Sequence, residues 1–330
     1  MNSQCVKKIV RKSLLMLTIW GLGGSCVWAQ VLLKRNVVLM GSRFDITIVE
    51  KDTLLAQQRI NQVIAEVTRI ENLISEWKPE TQISQVNQNA GIKPVKVDRE
   101  VFELTRRGIE FSKLSGGAFD ISIAALDRLW KFDGSMTEMP PEEVIKNSIK
   151  HVGYQHILLD SLHSTIYLPI QGMKIGFGSI GKGYAADKGR ELMQSWGVAG
   201  GIVNASGDLA TWGTQPNQKA WLIGINNPFE SGKIVRTFKL RQGAAATSGS
   251  YEKYAEINNV RYSHIINPKT GYPATGLVSA TIIGASAEFA NGLSTSVMVL
   301  GEKEGLLFLK QFPLYRYVLI TDQGKIIKSK

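Results

Sequence analysis

From Val37 to Val49 the chain reads VVLMGSRFDITIV, with Phe44, Ile46 and Ile48 alternating against Asp45 and Thr47. Alternation with a period of two, among β-branched residues, predicts a strand interrupted at Gly41-Ser42. Beyond Asp52, apolar residues recur every three or four positions at Ile60, Val63, Ile64, Val67, Ile70 and Ile74. That spacing keeps one helical face buried, so it predicts a long helix capped by Asp52 and ending before Trp77 and Pro79. The stretch TQISQVNQNAG, from Thr81, is polar and reads as a loop. A second helix is expected from about Asp98 to Ser115, stopped by Gly116-Gly117.

Pro140-Pro141 marks a further helix start, and the apolar runs at 156–159 and 164–168 read as a hairpin. The Gly-rich stretch GFGSIGKGYAAD, from Gly176, leads into a helix reaching about Trp196. Strands are expected at 201–204, 221–225, 234–240, 278–284 and 316–321, and helices at 286–300 and 303–311. Two segments between them read as loops: the Gly/Ala/Ser stretch at 243–250 and the turn-rich YSHIINPKTGYP. Helices and strands are mixed without a regular βαβ repeat. The expected class is therefore α+β, with mixed or antiparallel sheets flanked by helices and no doubly wound parallel sheet.

Composition adds little to that picture until the N-terminus is considered. The chain has 330 residues, 44% hydrophobic and 20% charged, a globular balance able to bury a sizeable core. Its formal charge is +11, but Lys7, Lys8, Arg11 and Lys12 supply four of those charges within residues 1–29, which hold no acidic residue. After them comes an apolar stretch from Leu14 to about Leu22, then small residues with Val27 and Ala29 at the −3 and −1 positions before Gln30. That order of zones predicts a signal peptide over 1–29 and a mature domain over 30–330, exported to the periplasm or cell envelope. Lipidation at Cys26 is the secondary reading, because Leu22 sits one place too far upstream. Both cysteines, Cys5 and Cys26, fall in the leader, so the expected mature chain has neither disulfide nor thiol chemistry. No later stretch is long and apolar enough to span a bilayer. The remaining basic residues are scattered and ungrouped, which argues against nucleic acid as a partner.

Three clusters carry candidate chemistry. In the Gly-rich turn, Lys182 and the following helix N-terminus suit a phosphate, although a plain flexible turn fits the same residues. Gly183 after Lys182 excludes a Walker A loop. In the second cluster His264 follows Thr247, Ser248 and Ser250, and both a surface histidine and a functional one are compatible with that setting. The other histidines, His151, His156 and His163, lack a suggestive context. In the third, Asn291 and Thr295 are four residues apart on one helical face, where they form either a hard-cation site or an ordinary polar face.

Taken in order, these clusters carry a resemblance. MGSRFDI (40–46), SEWKPETQISQVN (75–87), GGAFDIS (116–122), GSIGKGYAAD (178–187), NASGDL (204–209), ATSGSYEKY (246–254), SHIINPKTGYP (263–273) and ANGLSTSVMVLG (290–301) resemble the ApbE-type FAD:protein FMN transferases. The resemblance implies an exported α+β enzyme that uses FAD as substrate and Mg2+, and moves FMN to a Thr or Ser of an acceptor flavoprotein with release of AMP. It implies contacts to FAD from Met40, Trp77, Ala118, Phe119, Asp120, Gly176, Lys182, His264 and Ile265. It implies metal contacts from the Ser179 carbonyl, Asn291 and Thr295. For the base that takes the acceptor's proton, His264 and Asp208 are both candidates.

Two positions depart from the family pattern. Gly176 stands where an aspartate is common, and Asn291 where the metal aspartate is expected. Both changes remove a carboxylate, so a weakened metal site is expected. They keep two alternatives open beside transfer: an FAD pyrophosphatase that uses water as acceptor, and a catalytically weak FAD-binding protein.

Overall fold

The computed structural model describes residues 30–329 except 127, 128 and 252. The expected leader, its cleavage point and Cys26 lie outside the described residues. The chain begins with a hairpin, β1 (Val31–Leu39) and β2 (Ser42–Glu50), then α1 (Thr53–Ile74), α2 (Gln82–Gln88), β3 (Val95–Lys96) and α3 (Arg99–Leu114). A 3-10 turn over Ile121–Leu126 leads to α4 (Glu142–Ser148), β4 (Leu158–Asp160) and β5 (Thr165–Tyr167). Next come α5 (Gly181–Ser195), β6 (Gly200–Ala205), β7 (Asp208–Gly213), β8 (Trp221–Asn226), β9 (Ile234–Leu240) and β10 (Gly243–Gly249). The last part holds β11 (Tyr254–Ile257), β12 (Val260–Ser263), β13 (Leu277–Gly284), α6 (Ala287–Leu309), β14 (Arg316–Thr321) and β15 (Ile326–Lys328).

Eight strands form one sheet in the order β1-β2-β6-β7-β10-β13-β14-β15, each neighbour antiparallel. The α+β expectation holds. On one face, Ile60, Val63, Val67 and Ile70 of α1 join Ala185, Ala186 and Met193 of α5 and Leu293 and Val297 of α6 in the main core. On the other face, the β8–β9 hairpin lays Trp221, Ile223, Phe238 and Leu240 over Val49, Ile283 and Val318. A small three-stranded sheet, β3-β5-β4, packs Ile166 into the main core.

Several local expectations change. The interruption at Gly41-Ser42 is a hairpin turn, with Met40 at φ 49° and Gly41 at φ 63°. Two left-handed residues in succession match the twist of the flanking strands, which extend the pairing back to Val31. The polar stretch after Thr81 contains a helix, because the Thr81 side chain caps it by accepting from Ser84 N and it buries Ile83 and Val86. The Gly/Ala/Ser stretch at 243–250 is the central strand β10, paired with β7 and β13. Its small side chains leave room for α6 to lie directly on it. The Asp52 cap forms as expected, with Leu55 N donating to Oδ1 at 2.7 Å. No helix among the described residues is long and apolar enough to cross a membrane.

Candidate functional site

The Gly-rich turn ends where α5 begins, and α5 crosses the start of α6 at very close range. A Cβ on Gly183 would lie 2.5 Å from the Ala287 carbonyl oxygen and 2.6 Å from its carbon, so only glycine permits this crossing. Asp187, one turn along α5, fastens the crossing from the side. Its Oδ2 accepts from Ser286 Oγ at 2.7 Å and from Glu288 N at 3.0 Å, at the N-terminus of α6. Lys182 and Asn291 are thereby held on adjoining helices.

Four groups then meet. Asp208 opens β7 directly after a tight turn through Ser206 (φ 55°) and Gly207 (φ 102°), and its carboxylate is buried. Lys182 Nζ lies 4.0 Å from Asp208 Oδ2. The Asn291 amide, also buried, faces both Asp208 Oδ2, 3.2 Å away, and the Ser179 carbonyl oxygen, 2.9 Å away. With its nitrogen inward, the amide donates to both oxygens. With its oxygen inward, three oxygens face one another with no proton between them, and a hard cation would relieve that contact. Among the described residues no three His, Cys, Asp or Glu side chains gather on one point. A cation here would rest on mixed oxygen donors.

Although Asn291 itself brings no carboxylate, one stands beside it. Asp208 supplies one from the neighbouring strand, at hydrogen-bonding distance from the substituted side chain. One turn further along α6, Thr295 Oγ1 lies 3.4 Å from Ser248 Oγ, which also pairs with Ser294 Oγ at 2.8 Å. In the sequence Ser248 stands only as one of several small hydroxyl residues in an expected loop, and Ser294 has no distinguishing signal. The register of β10 under α6 brings Ser248 to Ser294 and Thr295.

His264 follows β12 directly. Its Nδ1 lies 3.0 Å from the Lys253 carbonyl oxygen. A carbonyl only accepts, so Nδ1 carries the proton and Nε2 keeps the lone pair. Burial holds the imidazole below its ordinary pKa, and the Lys253 and Lys182 charges act in the same direction, against the hydrogen bond to Lys253. Neutral His264 is thus the form present at physiological pH, and it stands within the electrostatic reach of Lys182.

The other expected contacts divide into two groups. The half-buried Met40 closes on the Gly-rich turn: its methyl lies 3.6 Å from the point where a Cβ on Gly181 would stand. Its left-handed backbone is uncommon for a bulky residue, and its N–H donates to Glu71 Oε2 at 3.3 Å. Trp77 is 73% exposed, so its ring is open to a stacking partner. Ala118, Phe119, Asp120 and Ile265 instead turn inward. Phe119 packs in the core 5.5 Å from the Phe111 ring. Asp120 Oδ1 accepts from Ser122 N at 2.8 Å and Ser122 Oγ at 2.6 Å, and Oδ2 accepts from Tyr154 N at 2.9 Å. Its carboxylate knits the 3-10 turn to the segment at Tyr154. Gly176 is buried, with its N–H donating to Ile121 O at 2.9 Å.

A cleft of about 630 Å³ lies elsewhere, lined by Arg69, Glu100, Arg107, Tyr184, Asp187 and Glu288 among others. Its arginines are already paired: Arg69 with Glu66 and Glu100, Arg107 with Glu288, and Arg190 with Asp187. It is an ion-pair network that ties α1, α3, α5 and α6 together.

The chain is similar to known proteins over most of its length. The sequence profile of the ApbE family matches residues 40–319. An FAD:protein FMN transferase of Klebsiella pneumoniae is 29% identical over 296 residues, covering 89% of this chain and 90% of the relative. One from Treponema pallidum is 29% identical over 269 residues, covering 77% of this chain and 74% of the relative. The crystal structure of the ApbE protein from Thermotoga maritima superposes with a TM-score of 0.85 at 30% identity, covering 91% of this chain and 97% of that one. The flavin transferase ApbE from Vibrio cholerae superposes with a TM-score of 0.80 at 25% identity, covering 91% and 98%. The chain belongs to the ApbE family.

Proposed function

We propose that this chain is an exported FAD:protein FMN transferase, moving FMN from FAD to a Thr or Ser hydroxyl of an acceptor flavoprotein with release of AMP. The observation that carries the reading is the convergence of Lys182, Asp208 and Asn291, with a neutral His264 within electrostatic reach of Lys182. In the reaction, the acceptor oxygen forms a bond to the FMN phosphorus while the bond from that phosphorus to the AMP oxygen breaks. His264 Nε2 takes the proton from the attacking hydroxyl. Lys182 places a positive charge where the diphosphate is cleaved and charge builds on AMP.

A magnesium ion fits the residues present, and Ser179 O, Asn291, Asp208 and Thr295 are the groups that would hold it. When bound, it supplies charge neutralisation at the diphosphate. Asp208 serves this reading as the buried charge partner of Lys182 and Asn291, which leaves His264 as the base. Export rests on the order of zones in residues 1–29.

Incubation with FAD, magnesium and a candidate flavoprotein, followed by intact mass measurement of the acceptor, tests the proposal. A gain of one FMN that requires the metal supports it. Release of FMN and AMP with no mass gain on any hydroxyl acceptor would replace it with the pyrophosphatase reading.

A further inference from the structure

The backbone at Gly176 is covered by a carboxylate from a different part of the chain. A Cβ built on Gly176 would lie 2.8 Å from Glu76 Oε1, 2.9 Å from Glu76 Cδ and 3.1 Å from Ala124 Cβ. Those distances exclude every residue but glycine while Glu76 stays where it is. A side chain at position 176 would therefore require Glu76 to move aside.

Glu76 follows the end of α1, and the same stub braces the rest of the turn. Ile74 Cδ1 lies 3.2 Å from the position of a Cβ on Gly181. Asn87 holds the adjoining backbone, accepting from Ile175 N at 2.8 Å and donating to Ile175 O at 2.9 Å. Glu76 is also engaged within the protein. Yet it is only half-buried, and the next residue is the exposed ring of Trp77. One short loop thus presents a flat aromatic surface and an acceptor-only carboxylate side by side.

A carboxylate repels a diphosphate but accepts from neutral O–H and N–H donors. In a dinucleotide whose charged centre meets Lys182, such donors lie on the ring and sugar-alcohol parts. Trp77 presents an exposed ring beside it, and the isoalloxazine, the larger flat ring of FAD, is taken as its partner.

We propose that Glu76 is a substrate-specificity residue for the flavin half of FAD, accepting a hydrogen bond from an O–H or N–H donor of that half, with Gly176 kept bare to admit it. The inference rests on the FAD reading above and assigns one of its contacts.

Binding of FMN and of ADP, each measured by calorimetry, is compared for the wild type, Glu76→Gln, Glu76→Ala and the double variant Glu76→Ala/Gly176→Asp. Thermal melts of each confirm folding. Hydrogen bonds to a charged group have a strength that predicts a loss of about tenfold in FMN affinity for Glu76→Gln, with ADP affinity unchanged. The double variant returns a carboxylate from the other side and should regain most of the FMN affinity that Glu76→Ala loses. Three results overturn the proposal: FMN binding by Glu76→Gln equal to wild type, equal losses for FMN and ADP, or a double variant no better than Glu76→Ala. The first leaves the transferase reading standing. A wild type that binds neither FAD nor FMN removes both.

Discussion

The His264 ring donates from Nδ1 to the carbonyl oxygen of Lys253, 3.0 Å away, and this single contact decides which nitrogen can act as a base. The loop between β11 and β12 returns the chain so that His264 N also donates to Lys253 O, at 3.2 Å. The ring is therefore tethered at its root and at one nitrogen, with Nε2 left to accept a proton.

Replacing His264 by Gln should lower the flavin-transfer rate by roughly 10²–10⁴-fold, the usual contribution of a positioned base. FAD affinity should change by no more than a few-fold. Because burial and two lysine charges depress the imidazole pKa below 6.5, the rate should hold constant from pH 8 down past neutrality. It should fall only once the pH drops through that depressed value and the base becomes protonated. Single-turnover transfer measured against pH checks this, and an acid limb centred above 6.5 contradicts the assignment.

Asn291→Asp sets a second carboxylate against Asp208 Oδ2, which stands 3.2 Å from the present amide. Without a divalent cation the two charges repel, and each kcal/mol of repulsion lowers the melting temperature by roughly 2–4 °C for a chain of this kind. Magnesium should restore the loss, and the variant should need less magnesium than wild type for half-maximal FAD cleavage. Thr295→Ala should raise that requirement while leaving the metal-free melt within about 2 °C of wild type. Superimposable melts and titrations for all three proteins would discard the cation site.

Gly183→Ala pushes a methyl group into the backbone of Ala287, with no flexible side chain available to yield. Overpacking of this kind costs about 1–3 kcal/mol or more. The same strain pushes α5 away from α6, so Lys182 and Asn291 move apart. Denaturant unfolding should show a lower midpoint, and FAD affinity should fall with it. A variant as stable as wild type would mean that the helices can slide at this crossing.

Asp120→Asn leaves one oxygen to serve three donors, Ser122 N, Ser122 Oγ and Tyr154 N. Its amide group then faces a donor, and a buried unpaired donor costs about 1–3 kcal/mol. Stability should drop by that order, while the magnesium requirement of the folded variant stays at the wild-type value. Equilibrium unfolding and a magnesium titration separate the two effects; a shift in the titration alone would place Asp120 in the cation site instead.

Elements whose side chains repeat with a clear period can be read directly from the amino-acid order. The face of α1 from Ile60 to Ile74, the start of α5 after Gly176, the two halves of α6 on either side of the kink at Gly301, and β14 are all legible there, since burial of one face imposes the spacing. The order of motif blocks likewise carried the family, and with it Lys182, His264 and Asn291. The sequence misled where small or polar residues were read for their local preference. Strand β10 has Gly, Ala and Ser because α6 lies against it, and α2 forms because Ile83 and Val86 find a core. Both are tertiary effects that override propensity. The tertiary structure alone decided which side chains share a point in space. Asp208 answers Asn291, and Glu76 covers Gly176, through contacts spanning 83 and 100 positions respectively, and no local pattern encodes such a pairing. Contacts of that length depend on how the sheet orders its strands and how closely α5 crosses α6, which is a property of packing.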